Sequence, residues 1–226
     1  MEGGVTDVVI IGAGGTGREV CWILQESNEV KPQWHLLGFV DDNRALHGSM
    51  QCDLLVLGGF EWLAANAKKN LKVICAVGSP HARKTLTDRA SGIGLSFCAA
   101  IHPSVQMSRW VKVGSGSIIE AGCVLTTQVT VGPHTLLNTN CTVGHDARIG
   151  SFCCINPGCH ISGAAKIGEG VELGAGSVVI QGRNVGDWSV IGAGAVVISD
   201  IPTGVTAVGV PSRVIKQHMT EPLVIV

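Results

Sequence analysis

The sequence Val131-GPHTL-Leu137-NTNCT-Val143-GHDAR-Ile149 places an aliphatic residue at every sixth position. The period continues without a break from Ile101 to Val197. A fixed period of six is typical of a parallel β-helix, in which each hexapeptide forms one short strand and one turn. The inward side chains of neighbouring coils then stack into a continuous core. The seventeen positions are Ile101, Met107, Val113, Ile119, Leu125, Val131, Leu137, Val143, Ile149, Ile155, Ile161, Ile167, Leu173, Val179, Val185, Ile191 and Val197.

A longer period of eighteen residues lies on top of the first. Glycine recurs directly after every third aliphatic position, so three hexapeptides form one coil of a three-sided prism. We expect these glycines to occupy one corner because glycine adopts φ > 0 without steric cost. They are Gly114, Gly132, Gly150, Gly168 and Gly186. Small residues four positions after an aliphatic one fit inside a narrow coil: Ser117, Cys123, Thr135, Cys141, Ala147, Cys153, Cys159, Ala165, Ser177, Ser189 and Ala195.

Composition excludes several function classes. The chain has 226 residues, 15% of them charged, and a net charge of −1. Electrostatic attraction to nucleic acid or to an anionic membrane surface is therefore not expected. No basic segment precedes a long apolar run near the N-terminus, so we expect neither a signal peptide nor a membrane span. The nine cysteines have no Cys-x-x-Cys spacing, which favours buried reduced thiols in a cytoplasmic protein without a metal site.

The first hundred residues have the pattern of a nucleotide-binding fold. A buried strand is predicted at residues 7–11, and it runs into Gly12-Ala-Gly-Gly-Thr-Gly17, which matches G-x-G-x-x-G. A helix is predicted over residues 18–25 and a second strand over residues 36–40, followed by Asp41 and Asp42. The free N–H groups at such a helix start favour phosphate, and the acids lie where a ribose or base contact is made.

The remainder of this region predicts a strand at residues 73–77 before Gly78, a helix over residues 81–89 and a strand over residues 95–99. About a hundred residues are few for a full dinucleotide-binding domain, so a mononucleotide or a nucleotide-sugar fits better than NAD. A tight turn without a ligand stays open as an alternative. We expect an α/β half-Rossmann-like domain at residues 1–100 and a β-helix with a C-terminal cap at residues 101–226. No flexible linker joins them, so they should pack together.

One corner of the predicted prism carries candidate chemistry. His145 and Asp146 follow Gly144, and the equivalent positions one coil before and after His145 are Thr127 and Gly163. An outward histidine beside a carboxylate is suited to act as a general base, although an incidental surface histidine has the same pattern. Two other histidines, His134 and His160, are weaker candidates because they have no adjacent acid. His102 precedes a proline and is expected to be structural.

Six motifs resemble the sugar acyltransferases of the left-handed β-helix superfamily. The most similar branch is the family of sialic-acid O-acetyltransferases and nucleotide-amino-sugar N-acetyltransferases, and the resemblance covers nearly the whole chain. It implies a left-handed β-helix after the α/β domain. The motifs are IGAGGTGRE (residues 11–19), GFVDD (38–42), VGHD (143–146), INPG (155–158), IGAGAVV (191–197) and GVPS (209–212).

The resemblance also implies roles for residues. His145 would be the general base, assisted by Asp146. Acetyl-CoA would be the donor, lying in a groove between adjacent subunits of a homotrimer, and its contacts map onto Cys154, Gly163, Ala175 and Ala193. The nucleotide-sugar would be held by the first domain, through Gly14, Gly15, Thr16, Asp41, Asp42 and Gly78. Two positions depart from the family pattern, because Cys154 and Thr16 stand where many members have histidine.

We therefore expect an acetyl-CoA-dependent N-acetyltransferase that modifies the amino group of a nucleotide-linked amino sugar. Direct attack on the thioester requires no covalent enzyme intermediate. One alternative is O-acetylation of a sugar hydroxyl, such as that of a sialic acid, with the same base. Alternatives of other classes are a non-catalytic trimeric scaffold that binds a nucleotide-sugar and a small NAD-dependent protein.

Overall fold

The N-terminal part of the chain forms an α/β domain around one sheet. The structure is a computed structural model that describes residues 5–68 and 70–218. The sheet strands are β1 (Thr6–Ile11), β2 (Trp34–Val40), β3 (Met50–Gln51), β4 (Leu54–Gly58), β5 (Lys72–Cys75) and β6 (Ser96–Phe97). Their order is β3-β4-β2-β1-β5-β6, and all neighbours are parallel except β3 and β4. The carboxyl ends of β1, β2 and β5 therefore meet at one edge, where ligands of open α/β sheets bind.

Three helices and a short 3-10 turn connect these strands. The helices are α1 (Gly15–Val30), α2 (Phe60–Asn66) and α3 (Pro80–Gly92), and the 3-10 turn is Arg44–Leu46. Helix α1 buries Val20, Ile23 and Leu24 completely, as their helical spacing predicted. None of the described helices is long and apolar enough to cross a membrane.

The predicted strands and helices of this domain all form, with bounds that differ by a few residues. Residues 44–66 carry elements that the sequence patterns did not predict, namely the 3-10 turn, β3, β4 and α2. These elements are short, and none repeats a clear period over enough residues to be recognised.

The hexapeptides form the predicted coils. Each of the seventeen two-residue strands ends on one of the periodic aliphatic positions. They are β7 (Ala100–Ile101), β8 (Gln106–Met107), β9 (Lys112–Val113), β10 (Ile118–Ile119), β11 (Val124–Leu125), β12 (Thr130–Val131), β13 (Leu136–Leu137), β14 (Thr142–Val143), β15 (Arg148–Ile149), β16 (Cys154–Ile155), β17 (His160–Ile161), β18 (Lys166–Ile167), β19 (Glu172–Leu173), β20 (Val178–Val179), β21 (Asn184–Val185), β22 (Val190–Ile191) and β23 (Val196–Val197).

Strands three apart pair in parallel, so the coils build three flat faces. Face I contains β7, β10, β13, β16, β19 and β22. Face II contains β8, β11, β14, β17, β20 and β23, and face III contains β9, β12, β15, β18 and β21. Strand β24 (Val205–Val208) continues face I in parallel, and β25 (Arg213–Gln217) ends it in antiparallel pairing. The division at residue 100 and the C-terminal cap stay predictions, and residues 219–226 lie outside the described residues.

Each face is joined to the next by a four-residue turn, and the fourth residue of the turn points into the core. The small residues predicted to lie inside the coils all occupy this position and have no exposed surface. They include Cys123, Cys141, Cys153 and Cys159. The prediction that these side chains fill a narrow interior is therefore confirmed.

The conformational reason given for the corner glycines is wrong. Positive φ occurs at the third residue of each turn, from Gly116 (φ +71°) to Gly194 (φ +66°), and not at the first residue, where glycines such as Gly132 lie. A Cβ on Gly132 would lie 2.6 Å from the carbonyl carbon of Gly150 in the next coil. Glycine is needed there because the backbones of stacked coils approach closely.

The α/β domain covers the outer surface of face I. Ala100, Ile118, Leu136 and Cys154, which point outward from face I, belong to the same buried cluster as the core residues of β1 and α1. The hydroxyl of Ser27 on α1 donates to the carbonyl of Ile101 at 3.2 Å. The two parts of the chain are thus packed together, as the lack of a flexible linker predicted.

A buried carboxyl group lies at the contact between the α/β domain and the β-helix, which we call the joint. Glu120, in the turn after β10, is 2% exposed, and its Oε2 accepts the N–H of Thr139 at 3.2 Å. Its Oε1 has no hydrogen-bond partner among the described residues. Burial, and secondarily the charge of Glu19 on α1, raises the pKa of Glu120 from 4.5 to about 7.

This raised pKa makes stability depend on pH. The unfolded carboxyl ionises above about pH 4.5 while the folded one stays protonated up to about pH 7, so the free energy of unfolding should fall between these values. Glu120→Gln cannot ionise and should be more stable than the wild type at pH 8, by about 2–3 kcal/mol. Urea unfolding at pH 5 and pH 8 measures this difference.

The matched control is Glu29→Gln, at an exposed position near the end of α1. It should keep the wild-type difference between the two pH values. A Glu120→Gln protein that loses as much stability as the wild type between pH 5 and pH 8 would contradict the assignment to Glu120.

Candidate active site

The corner between faces II and III, which we call the catalytic corner, carries His145 and Asp146. The turn that contains them joins β14 to β15 and comprises residues 144–147. His145 is the second residue of the turn and points outward, with 55% of its side chain exposed. Asp146 is the third residue and adopts φ of +61°, a conformation that aspartate tolerates better than most side chains.

The two side chains are paired. Nδ1 of His145 lies 2.9 Å from Oδ2 of Asp146. A carboxylate at Nδ1 favours the tautomer with a proton on that nitrogen and leaves the Nε2 lone pair free. Nε2 makes no hydrogen bond to the described residues, so the imidazole is arranged to accept a proton from an outside group.

Backbone contacts to the neighbouring coils hold this pair in place. The N–H of Asp146 donates to the carbonyl of Thr127 at 3.0 Å, and the carbonyl of His145 accepts the N–H of Ala164 at 2.7 Å. A Cβ on Gly163 would lie 2.6 Å from Nε2 of His145. The imidazole therefore lies over Gly163, in the space that a side chain at this position would occupy, and the sequence comparison of the three coils placed the small Gly163 beside His145.

The other candidate histidines lie elsewhere. His160 points outward from face II and contacts the hydroxyl of Thr142 at 2.8 Å. His134 is half-buried between Phe97 and Phe152, and burial lowers its pKa to about 4. These surroundings suit a structural aromatic contact rather than proton transfer at neutral pH.

His102 is buried at the joint, as expected for a structural residue. Its Nδ1 contacts the hydroxyl of Ser104 at 2.8 Å, and its ring lies 4.5 Å from that of Trp22.

A second candidate site lies at the carboxyl edge of the α/β sheet, where the glycine loop joins β1 to α1. Gly12 has φ of +101°, and a Cβ on Gly17 would overlap the carbonyl oxygen of Gly12. Gly14 and Gly15 have open space around them. These are the three uses of glycine in a phosphate-binding loop, which are a sharp turn, close strand–helix packing and room for a ligand at a helix start.

Gly78 and Thr16 face each other across this loop. A Cβ on Gly78 would lie 3.9 Å from Oγ1 of Thr16. The structure thus brings Gly14, Gly15, Thr16 and Gly78 to one edge of the sheet, as predicted.

Asp41 fixes the backbone of the glycine loop. Its Oδ2 accepts the N–H of Ala13 and its Oδ1 accepts the N–H of Asn43, each at 2.9 Å. The sequence predicted a ligand contact at this position but did not predict the contact with the loop. Each carboxylate oxygen has a second lone pair, so Asp41 retains the capacity to accept a hydrogen bond from a ligand.

Asp42 has different partners. It accepts the N–H of Phe60 at 3.0 Å and pairs with Arg89 at 3.2 Å. The hydrogen bond from Phe60, followed by the nearby Arg89, lowers the pKa of Asp42. The guanidinium of Arg89 lies 4.1 Å from the centre of the Phe60 ring.

A cavity of about 170 Å³ opens beside these acids. Its lining is mostly apolar with two carboxylates, which suits a planar polar group with apolar faces. The lining residues are Ile11, Gly12, Val40, Asp41, Asp42, Phe60, Val77 and Leu86.

The residues that the resemblance assigns to acetyl-CoA are spread over the prism. Gly163 lies at the catalytic corner. Ala175 and Ala193 are exposed second residues of turns between faces I and II, so a single chain presents them at a different corner. Cys154 points outward from face I, is 5% exposed beneath the α/β domain, and has its pKa raised to about 11 by burial. Its contact with acetyl-CoA stays a prediction.

Sequence reasoning missed one charged residue that the structure places centrally. Arg83 on α3 has no exposed surface and donates only to backbone carbonyls. No motif could have indicated it, because its partners are not side chains. The described residues contain no group of three or more histidine, cysteine or acidic side chains arranged for a metal ion.

The α/β domain is similar to a known family of domains. Residues 7–90 match the family model of the PglD N-terminal domain. A search of curated proteins finds no match to the chain.

Three solved structures are similar over nearly the whole chain. A variant of perosamine N-acetyltransferase from Caulobacter crescentus, in complex with CoA and GDP-perosamine, has a TM-score of 0.87 and 30% identity, covering 95% of this chain and 99% of that one. The acetyltransferase domain of PglB from Neisseria gonorrhoeae FA1090, in complex with acetyl coenzyme A, has a TM-score of 0.85 and 30% identity, covering 94% and 100%. WeeI from Acinetobacter baumannii AYE has a TM-score of 0.82 and 25% identity, covering 93% and 100%.

These similarities confirm the expected fold, a Rossmann-like α/β domain followed by a left-handed parallel β-helix. They extend over both parts of the chain. The protein therefore belongs to the family of hexapeptide-repeat sugar N-acetyltransferases that includes perosamine N-acetyltransferase and the acetyltransferase domain of PglB.

Proposed function

We propose that the protein is an acetyl-CoA-dependent N-acetyltransferase that acts on the amino group of a nucleotide-linked amino sugar. The observation that carries this proposal is the His145–Asp146 pair, held outward over Gly163 in a fold shared with a perosamine N-acetyltransferase that binds CoA and GDP-perosamine. The direct test incubates the protein and acetyl-CoA with a panel of nucleotide-linked amino sugars and measures product masses. A mass increase only with hydroxyl acceptors such as sialic acids would instead support O-acetylation.

His145 performs the proton transfer in this mechanism. The amine nitrogen forms a bond to the thioester carbonyl carbon, the C–S bond breaks, and CoA leaves. An attacking amine becomes acidic as the new bond forms, so a positioned imidazole can take its proton. His145 accepts that proton at Nε2, which faces away from Asp146.

Asp146 supports this step in two ways. Its hydrogen bond to Nδ1 fixes the ring orientation and the tautomer that leaves Nε2 available. Its negative charge stabilises the imidazolium that forms when Nε2 takes the proton.

Acetyl-CoA is the proposed co-substrate, and small corner residues leave room for it. Gly163 lies beside the base, and the exposed Ala175 and Ala193 present backbone along another corner. A groove formed by one catalytic corner and the face I–II corner of a neighbouring copy would bring all three together. Cys154 remains the residue for which this arrangement offers least support, because the α/β domain of the same chain buries it.

The position of the α/β domain supports a homotrimer. This domain covers face I, whereas the catalytic corner joins faces II and III and lies on the opposite side of the prism. A nucleotide-sugar held by the glycine loop would therefore meet the base of a neighbouring copy. In a cyclic trimer, each copy would contribute its base to one active site and its nucleotide-sugar pocket to another.

Mixed trimers test this arrangement. When His145→Ala and Asp41→Ala chains are co-expressed, random assembly should restore about one quarter of the sites, because some interfaces combine an intact pocket with an intact base. Each variant alone should be weakly active. The measurement is acetyl transfer by the purified mixture, with light scattering to establish the trimer.

A mixture no more active than its components would place both half-sites in one chain. A stable monomer at micromolar concentration would contradict the trimer directly.

The acceptor pocket gives a separate prediction. Asp41→Ala removes the acceptor for the N–H of Ala13 and loosens the glycine loop, so nucleotide-sugar binding should weaken by about 1.5–3 kcal/mol. Affinity for acetyl-CoA should not change, since its groove lies on the β-helix. Calorimetry with each ligand measures both quantities, and Asp42→Ala is measured in parallel because Asp42 borders the same cavity.

Asp7→Ala is the matched control. Asp7 lies at the opposite end of β1 and pairs with the exposed His35 at 2.8 Å. Unchanged nucleotide-sugar affinity in both Asp41→Ala and Asp42→Ala would move the acceptor to another site, and tight NAD binding would favour a dehydrogenase-like function.

Removal of the base tests the mechanism. His145→Ala should lower kcat by about 10²–10⁴, the range for loss of a general base, with little change in KM for acetyl-CoA. Asp146→Asn should lose less, because the ring keeps a hydrogen-bond partner. Steady-state kinetics of purified trimers give both constants.

His160→Ala is the control, because this histidine is exposed on face II and its ring contacts the hydroxyl of Thr142, away from His145. It should retain wild-type kcat. A His145→Ala enzyme within about threefold of the wild type would exclude His145 as the base. Cytoplasmic location stays a prediction from composition.

A further inference from the structure

Arg83 makes five hydrogen bonds at the joint between the two parts of the molecule. It lies in the first turn of α3 and has no exposed surface. All five of its N–H groups donate to backbone carbonyl oxygens. The acceptors are Val77 (2.5 Å) and Gly78 (2.9 Å) for Nη1, Phe152 (2.8 Å) and Cys153 (2.8 Å) for Nη2, and His134 (2.8 Å) for Nε.

These acceptors belong to two separate structures. Val77 and Gly78 form the loop between β5 and α3, which we call the β5–α3 loop. The other three carbonyls belong to two successive turns between faces III and I of the β-helix. One planar group therefore ties a loop of the α/β domain to two coils of the prism, in a geometry that the rigid guanidinium fork fixes.

Apolar packing between the α/β domain and the β-helix would not require an arginine at position 83. No described carboxylate forms a salt bridge with Arg83, all of its hydrogen bonds go to backbone carbonyls, and burial lowers its pKa. A buried charge is costly unless each donor is satisfied. Here every donor is satisfied, and each bond depends on the relative position of the loop and the coils.

The β5–α3 loop is also part of the acceptor pocket. Val77 lines the cavity of about 170 Å³, and Gly78 faces Thr16 of the glycine loop. The carbonyls of Val77 and Gly78 accept hydrogen bonds from Arg83, which also donates to the β-helix. These bonds therefore restrict the position of the loop that borders the pocket.

We infer that Arg83 is a positioning residue for acceptor binding, which sets the β5–α3 loop against the β-helix and so shapes the nucleotide-sugar pocket. This inference rests on the proposed function for the identity of the ligand. The position of the loop itself can be measured without any ligand.

Two substitutions separate the contributions of charge and geometry. Arg83→Lys keeps the charge but has three donors, so it cannot hold both the loop and the two turns. Arg83→Met keeps much of the volume and has no donor. We expect KM for the nucleotide-sugar to rise about tenfold or more in Arg83→Met, since two hydrogen bonds to the loop are lost. Arg83→Lys should be intermediate, and KM for acetyl-CoA should stay within about twofold in both.

Thr135→Val is the matched control for stability. Thr135 is fully buried at the same corner, where its hydroxyl donates to the carbonyl of Gly150 at 2.7 Å and accepts the N–H of Cys153 at 3.2 Å. It has no contact with the β5–α3 loop. This variant should lose thermal stability without a change in either KM.

Hydrogen–deuterium exchange of the unliganded protein gives the second readout. Amides of residues 76–83 should exchange faster in Arg83→Lys than in the wild type. In Thr135→Val the same amides should exchange at the wild-type rate. If the wild type acetylates no nucleotide-linked amino sugar, the proposed function fails while this measurement still tests the role of Arg83. An unchanged loop together with an unchanged acceptor KM would overturn the inference and leave Arg83 a purely stabilising residue.

If neither variant folds, native-state exchange of the wild type in rising urea provides the test. Residues 76–83 should then lose protection together with residues 134 and 152–153. Loss of protection by the loop at lower urea than those turns would contradict the inference.

Discussion

Close stacking of the coils is the constraint on which the other features of the β-helix depend. Each coil donates backbone N–H groups to the next, for example from Gly132 to Ile149 at 2.8 Å. At this spacing the first turn residue at one corner has no room for a Cβ, the third must adopt left-handed φ, and the fourth must be small enough to fit inside. The second and third residues of a turn vary in size, as Thr127 and Gln128, His145 and Asp146, and Gly163 and Ala164 show at one corner. His145 occupies such a position, so the fold itself limits where chemistry can be placed.

The regular part of this fold could be predicted because the sequence pattern that specifies it repeats every six residues. The six-residue pattern predicted the two-residue strands β7 to β23 and the interior position of residues such as Cys141. His145 and Asp146 could be found because they interrupt the pattern at an outward corner. The sequence did not distinguish the two properties of glycine, its small size and its tolerance of positive φ, and the wrong one was assigned to Gly132.

The contacts that escaped prediction have backbone atoms as partners. Arg83 reaches carbonyls 51 to 70 residues away in the chain, and Asp41 accepts an amide 28 residues away. A backbone N–H or carbonyl is present at almost every position, so no residue type marks the partner in the sequence. Glu120 escaped for a related reason, since its raised pKa arises from burial beneath a different domain.

Hydrogen bonds between the α/β domain and the β-helix restrict the position of the domain more than apolar packing does. Packing of Ile118 and Leu136 against α1 is non-directional and would tolerate small shifts of the domain along face I. Hydrogen bonds from Arg83 and Ser27 fix the domain at both borders of that face, against particular coils. The acceptor pocket is thereby held at one height along the prism. In the proposed trimer, the base of a neighbouring copy would meet the acceptor amine only if that height matched the coil of His145, so the proposal requires precise docking of the α/β domain.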